Sequence, residues 1–204
     1  MFCPLLRLAP VLAIACATAA SAATVRVTVL DTSAAPVTEA VVLLAPQAGS
    51  MAVKPMNGIQ ISQMQRQFNP RVTVVTVGTA VTFPNFDTVR HHVYSFSQAK
   101  AFELKLYAGT PAAPVVFDKP GIAVLGCNIH DRMAAWVVVV DTPLHARSAA
   151  AGKAQLDDVP AGSYRLLVWH PGLVNANEPA AMPLIVGSAE VNQRVVLDLG
   201  GPSK

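Results

Sequence analysis

The sequence has little charge, few aromatic side chains and almost no cysteine. Charged residues make up 13% of its 204 residues and aromatic residues 6%. The formal net charge is only +3, and no cluster of lysine and arginine forms a nucleic-acid surface. No run of like charges marks an interaction tail. The composition therefore argues against nucleic-acid binding and does not by itself identify a partner.

The first residues have the pattern of a targeting segment. Arg7 precedes an apolar run, Leu8–Ala20, and small residues follow it. This arrangement predicts a signal peptide over residues 1–23, cleaved near Ala22 or Ala23, and a periplasmic or secreted protein. A membrane span is the alternative, but the run is shorter than the roughly twenty apolar residues that a span requires.

Cleavage would leave a single thiol. The sequence has three cysteines, and Cys3 and Cys16 both lie in the predicted signal segment, which leaves Cys127. Lipidation of Cys16 is an alternative that Ala13, a poor lipobox residue, disfavours. Secreted proteins usually pair their cysteines, so a lone one is buried and inert, reactive, or bound to a metal.

Beyond the signal the pattern is that of β-structure, with short apolar or alternating segments separated by glycine and proline. Strands are predicted over 24–30, 40–44, 72–77, 80–83, 91–96, 102–106, 115–117, 122–125, 135–140, 153–156, 164–169, 183–186 and 191–199. Residues 61–67 allow either a short helix or extended structure. Strands at this spacing predict an all-β sandwich or barrel.

One segment concentrates soft metal ligands. Residues 126–133 contain Cys127, His130 and Met133. A thiolate and a thioether hold Cu(I), imidazole accepts both oxidation states, and a weak axial methionine tunes the potential. The pair His91–His92 supplies a further imidazole from another segment. The residues therefore predict one copper ion cycling between Cu(I) and Cu(II), with zinc disfavoured because methionine is a poor zinc ligand.

These residues resemble a known family. Phe83-Pro-Asn85, His91, Pro120-Gly121, Cys127, His130 and Met133 resemble the cupredoxin pattern over about residues 58–143. The Cys-x₂-His-x₂-Met spacing is similar to that of amicyanin, and its context to plastocyanin-like proteins of the methylamine-utilisation type. The resemblance implies a Greek-key β-sandwich. It also implies the ligands His91, Cys127, His130 and axial Met133, with Asn85 linking the two ligand loops by hydrogen bonds.

The chain departs from the family pattern at His92, where many cupredoxins have asparagine. His92 either replaces that polar contact or is itself the copper ligand. The six-residue offset from Asn85 favours His91 as the ligand. One of the two imidazoles is then expected to be a surface or hydrogen-bonded histidine.

A second module flanks the copper segment. Residues 35–44 and 152–166 resemble the early and later strands of carboxypeptidase-regulatory-like or carbohydrate-binding-like sandwiches of prealbumin type. We therefore predict that residues 24–50 and 144–200 form one small β-sandwich, with a cupredoxin domain over 51–143 inserted in it. Two domains in tandem, or one enlarged cupredoxin with a β tail, are the alternatives.

These observations predict a periplasmic type-1 (blue) copper protein that carries single electrons between a redox-protein donor and acceptor. It is not expected to be an enzyme, because five histidines are too few for the cluster of a multicopper oxidase. A role in methylamine utilisation is implied by the resemblance alone. The alternatives are a carbohydrate- or protein-binding module and a copper-handling protein. Only Tyr164 and Trp169 in the small sandwich offer aromatic surface for a sugar.

Overall fold

The computed structural model describes residues 22–176 and 178–200, and the regular structure in them is β apart from a 3₁₀ turn at Ala150–Gly152. In chain order the strands are β1 Ala22–Asp31, β2 Val41–Pro46, β3 Ile59–Gln60, β4 Ser62–Met64, β5 Gln67–Asn69, β6 Val72–Thr76, β7 Thr79–Thr82, β8 His91–Ser97, β9 Lys100–Tyr107, β10 Val115–Phe117, β11 Gly121–Gly126, β12 Ala134–Val140, β13 His145–Arg147, β14 Lys153–Pro160, β15 Gly162–Trp169, β16 Ala180–Val186 and β17 Val191–Leu197. The all-β prediction is confirmed.

The predicted signal peptide lies outside the described residues except for Ala22 and Ala23. These two residues open β1, where they pair with Pro160 and Val159 of β14. Within the described part of the chain, no helix has the length and apolar character needed to cross a membrane.

The first pair of sheets joins strands from the two ends of the chain. One sheet has the order β14-β1-β17, with β1 antiparallel to β14 and parallel to β17. The other has the order β13-β2-β15-β16. Val25, Val27 and Val29 alternate along β1 and are buried in the core shared by these sheets. The other face of β1 meets solvent, and the residues between the valines are therefore polar. This produces the alternation seen in the sequence.

The second pair of sheets is formed by the middle of the chain. A five-stranded sheet has the order β6-β12-β11-β8-β9, and a three-stranded sheet the order β10-β7-β3. Phe83, Phe117, Leu125 and Val137 are among the residues buried in their common core. Cys127 and Met133 belong to the same buried cluster, so the predicted thiolate and thioether ligands lie at the margin of an apolar core.

The two pairs of sheets also contact each other through a third apolar cluster. It comprises Val41, Leu43, Val72, Val138, Val140, Leu167 and Trp169. On β12, Ala135, Val137 and Val139 face the middle core, whereas the intervening valines face this third cluster. Strand β2 and the second half of β15, residues 166–169, are likewise buried on both faces, which is why these segments are apolar without interruption.

The ambiguous segment over residues 61–67 is extended rather than helical. It forms the hairpin of β4 and β5, joined by a two-residue loop at Gln65 and Arg66 with φ of 56° and 59°. Two-residue hairpin loops with positive φ match the natural twist of the flanking strands. Pairing with β5 therefore determines the extended conformation of a segment whose local sequence favours neither helix nor strand. The short strands β3 and β13 were not predicted, because each is too short to show a period and, unlike β10, contains polar residues in place of an apolar run.

Candidate metal centre

The topology brings the predicted ligands to one edge of the five-stranded sheet. His91 is the first residue of β8, and Cys127 directly follows the last residue of β11. These strands are antiparallel neighbours, so the start of one lies beside the end of the other. Met133 directly precedes β12, which pairs with β11 from Gly126↔Ala134 onward. Residues 127–133 thus form the loop between two paired strands.

Three side chains converge at this edge. His91 Nδ1 lies 4.0 Å from Cys127 Sγ, and the ligand atoms of His91, Cys127 and His130 all lie within 4.8 Å of one another. The two imidazole rings meet edge to face with centroids 5.2 Å apart. A metal bonded to nitrogen at roughly 2.0 Å and to sulfur at roughly 2.3 Å spans atoms up to roughly 4.3 Å apart. The His91–Cys127 distance therefore suits a single shared ion.

His130 presents a ring nitrogen that no group in the described part of the chain satisfies. Its Nδ1 is buried and has no hydrogen-bond partner among the described residues. Buried polar atoms normally have a partner, because leaving one unpaired costs free energy. The ring as a whole is only partly buried. A buried ring nitrogen without a partner among the described residues, beside a thiol and a second imidazole, is the arrangement expected of a metal ligand.

Met133 closes a turn in the loop that begins at Cys127. Its backbone N–H donates to the His130 carbonyl at 2.9 Å. The side chain is 2% exposed, and it belongs to the apolar cluster that contains Cys127. A thioether in apolar surroundings is suited to be a weak, soft ligand, and water has little access to it.

Nε2 of His91 is hydrogen-bonded to the carboxylate of Asp87, a residue that belongs to no motif in the sequence. His91 Nε2 lies 2.7 Å from Asp87 Oδ2, and the His91 side chain is fully buried. Burial acts to raise the pKa of Asp87. Hydrogen bonds from the Arg66 N–H, from His91 and from the Gln65 N–H outweigh it and leave that pKa below its usual value. Asp87 is therefore an ionised acceptor for His91.

His92 is also buried, and a polar side chain lies beside each of its nitrogens. The Asn128 amide donates to His92 Nδ1 at 2.9 Å. His92 Nε2 lies 2.9 Å from Glu103 Oε1, close enough for an ion pair although not at hydrogen-bond angles. The ring packs edge to face on Tyr94, with centroids 5.9 Å apart. His91, and not His92, belongs to the group of converging ligand atoms.

Asn85 organises the loop that leads to His91. Its side-chain amide donates to the carbonyls of Val89 and Tyr107 at 2.9 and 3.0 Å, and its Oδ1 accepts the Asp87 N–H at 2.9 Å. These bonds hold the loop against β9. None of the hydrogen bonds described for Asn85 reaches the Cys127 loop, where the family resemblance had implied a link.

Gln63, Tyr107 and the Phe83 carbonyl form a buried polar cluster close to Cys127. Tyr107 donates to the Phe83 carbonyl at 2.7 Å, and the Gln63 amide contacts both groups. Burial raises the pKa of Tyr107 to about 12, and the neighbouring Cys127 adds to that effect. The phenol therefore stays neutral beside the thiol. Gln63 and Tyr107 gave no signal in the sequence, because the chain separates them from the ligands and only the sheet pairing reunites them.

The remaining candidates lie elsewhere. His145 opens β13, and His170 accepts a hydrogen bond from the Gly172 N–H at 3.0 Å. Burial lowers the pKa of both imidazoles. Trp169 is buried in the cluster between the sheet pairs, with its ring centroid 6.4 Å from that of Trp136. These side chains therefore lie away from the proposed ligands, in packing or strand-end positions.

No family model matches the chain, and no curated protein matches it. Solved structures resemble it at low identity. A purple cupredoxin from Nitrosopumilus maritimus is 23% identical, with TM-score 0.36, over 41% of this chain and 100% of that one. A reduced Cu(I) form of an amicyanin mutant is 20% identical, with TM-score 0.38, over 48% and 98%. A copper-containing nitrite reductase from Thermus scotoductus SA-01 is 23% identical, with TM-score 0.39, over 49% and 25%. Each of these similarities spans about half of this chain or less.

Proposed function

We propose that this protein is a type-1 copper protein that carries single electrons between redox partners in the periplasm. The proposed ligands are His91, Cys127, His130 and a weak axial Met133. The observation that carries the proposal is the convergence of a thiol and two imidazoles, one of which has a buried nitrogen without a partner among the described residues. Bound copper would supply the Cu(I)/Cu(II) couple.

The scaffold supports rapid one-electron exchange. His91 is fully buried and Cys127 is 5% exposed, and both are fixed at the ends of paired strands. Ligands held by a rigid sheet change position little when the charge of the metal changes, which keeps the reorganisation small. The burial of Cys127 and Met133 also keeps water from the thiolate. Both features favour retention of the metal over its delivery to another protein.

A route to the surface is available through His130. It is the most exposed of the three converging ligands, and the adjacent Ile129 is 48% exposed. Phe86 and Val89, in the loop before His91, are 65% and 40% exposed. Exposed apolar side chains on both ligand loops offer a surface for transient contact with a redox protein. A role in methylamine utilisation is proposed from the sequence resemblance alone.

The chain is also proposed to consist of two domains. We infer that residues 51–143 are the copper-binding domain and that 24–50 and 144–200 form the small sandwich around it. The strand orders are compatible with this division, because β1 and β2 pair with strands later than residue 143. The prealbumin-like assignment of the small sandwich stays a prediction from its sequence.

The test is a visible absorption spectrum of the protein after addition of Cu(II), then of ascorbate. The proposal expects an intense charge-transfer band that bleaches on reduction, and its loss in Cys127→Ser with the β-rich circular dichroism spectrum unchanged. A folded wild-type protein that stays colourless with Cu(II) contradicts the proposal. Such a result favours the binding-module alternative, in which Cys127 is a buried thiol without a metal.

A further inference from the structure

We propose that Asp87 is a positioning residue of this centre, which fixes the proton-bearing nitrogen of His91 and lowers the reduction potential of the copper. This inference rests on the proposed function for its effect on copper. Its effect on His91 itself requires no metal. It goes beyond the four ligands, because it assigns a role to a carboxylate and to the hairpin that holds it.

Three donors converge on the Asp87 carboxylate. The Gln65 N–H donates to Oδ1 at 2.7 Å, and the Arg66 N–H donates to Oδ2 at 2.9 Å. The same Oδ2 lies 2.7 Å from His91 Nε2. The side chain of Asp87 is 15% exposed. Both of its oxygens are therefore bonded, and its orientation is set from two directions.

The backbone of the β4–β5 hairpin supplies two of these donors. Gln65 and Arg66 are the central residues of its loop, and both have positive φ. In that conformation consecutive N–H groups point to one side and form a concave anion site. Asp87 fills this site from the loop that precedes His91. The hairpin is thus the outer support of the metal centre.

The carboxylate decides the tautomer of His91. An ionised carboxylate can only accept a hydrogen bond, so the proton of the neutral imidazole must lie on Nε2. The lone pair then lies on Nδ1, which is the nitrogen that faces Cys127 Sγ at 4.0 Å. Asp87 therefore prepares His91 to bind a metal through Nδ1 before any metal arrives.

The two imidazoles of the centre differ in this respect. His91 has a carboxylate on the nitrogen that faces away from the thiol, whereas no side-chain hydrogen bond or ion pair holds either nitrogen of His130 among the described residues. A carboxylate on the distal nitrogen makes an imidazole a stronger donor, and such partners typically change metal affinity by roughly 10–100-fold. A stronger donor favours Cu(II) over Cu(I), because the higher charge gains more from it. The expected consequence is a lower reduction potential.

The experiment compares Asp87→Asn and Asp87→Ala with Glu103→Gln. The last change removes a similar charge beside His92, the histidine that does not face the thiol, and serves as the matched control. The first measurement is long-range ¹H–¹⁵N NMR of the metal-free protein. Wild type and Glu103→Gln should show His91 protonated on Nε2 alone, and Asp87→Ala should show a mixture of tautomers.

The second measurement is the affinity for Cu(I) and Cu(II), by chelator competition, and the reduction potential derived from it. Both Asp87 variants should bind Cu(II) roughly 10–100-fold more weakly and show a raised potential, with the control unchanged. The isosteric asparagine keeps the loop folded, so a loss in that variant is not a folding defect. Unchanged His91 tautomer and copper affinity in Asp87→Asn and Asp87→Ala would overturn the proposal. If wild type binds no copper, the proposed function fails, and the metal-free tautomer still decides the role of Asp87 on His91.

Discussion

His91 Nδ1 and Cys127 Sγ lie 4.0 Å apart although the chain separates the two residues by 36 positions. Their approach follows from the antiparallel pairing of β8 and β11. His91 is the first residue of β8, and it lies near Cys127, which follows the last residue of β11. The distance is one that a single metal ion can bridge. The consequences for copper binding, redox potential and stability can each be measured.

The first prediction concerns the choice between adjacent histidines. His91→Ala should abolish the charge-transfer band and weaken Cu(II) binding by more than roughly 100-fold, because it removes a ligand and not merely a partner of one. His92→Ala should keep the band, since its nitrogens contact Asn128 and Glu103. The measurement is a Cu(II) titration of both variants followed by visible spectroscopy. The opposite pattern would assign the ligand to His92.

The second prediction concerns the axial position. Met133→Gln replaces a soft thioether by a harder amide oxygen of similar length, which should weaken Cu(I) binding relative to Cu(II). The potential falls by about 59 mV for each tenfold change in that preference, and a fall of at least this size is expected. Voltammetry of the two proteins at one pH provides the comparison. Met56→Gln, at an exposed methionine that precedes β3, is the control that should leave the potential unchanged.

Much of this centre was predictable because its information is local. The spacing of Cys127, His130 and Met133 reports a loop that can surround one ion, and alternation along residues 24–30 reports a strand with one wet face. For the choice between His91 and His92 the local signal is the offset from Asn85, and both histidines are buried where the β8–β9 register shifts. The structure separates them by their partners.

Asp87 could not have been assigned from its neighbours in the chain. An aspartate in a loop after Asn85 normally indicates a solvated turn. Its role depends on the β4–β5 hairpin, whose sequence allowed either a helix or extended structure. In the same way, the apolar run at Val137–Val140 showed that β12 is buried, but not that one face packs on strands β2 and β15. Such pairings are long-range and have no local signature.

The third prediction concerns the contact between the two pairs of sheets. Trp169 is 1% exposed and contributes the largest side chain of the third apolar cluster. Trp169→Ala should lower the free energy of unfolding by about 3–5 kcal/mol, through lost burial and the cavity left behind. Ile185→Ala, at a side chain 79% exposed, should change it by less than about 0.5 kcal/mol. Urea unfolding of the metal-free proteins measures both, and equal effects would contradict the packing described for Trp169.

The fourth prediction concerns pH. Burial lowers the pKa of His145 in the folded protein from its usual value of 6.5. Between the folded and unfolded pKa values the unfolded chain binds the extra proton, so this histidine favours unfolding as the pH falls below about 6.5. Above that pH the imidazole is neutral in both states and has no such effect. The loss cannot exceed about 1.4 kcal/mol per pH unit for one group.

His145→Gln should therefore reduce the difference in unfolding free energy between pH 7.5 and pH 5.5, measured by urea denaturation of the metal-free protein. The other four histidines are present in wild type and variant alike, so the change in this difference reports residue 145. At pH 7.5 the comparison gives the effect of the substitution on packing alone. A pH dependence as steep as that of wild type would show that His145 accepts a proton in the folded protein as readily as in the unfolded chain.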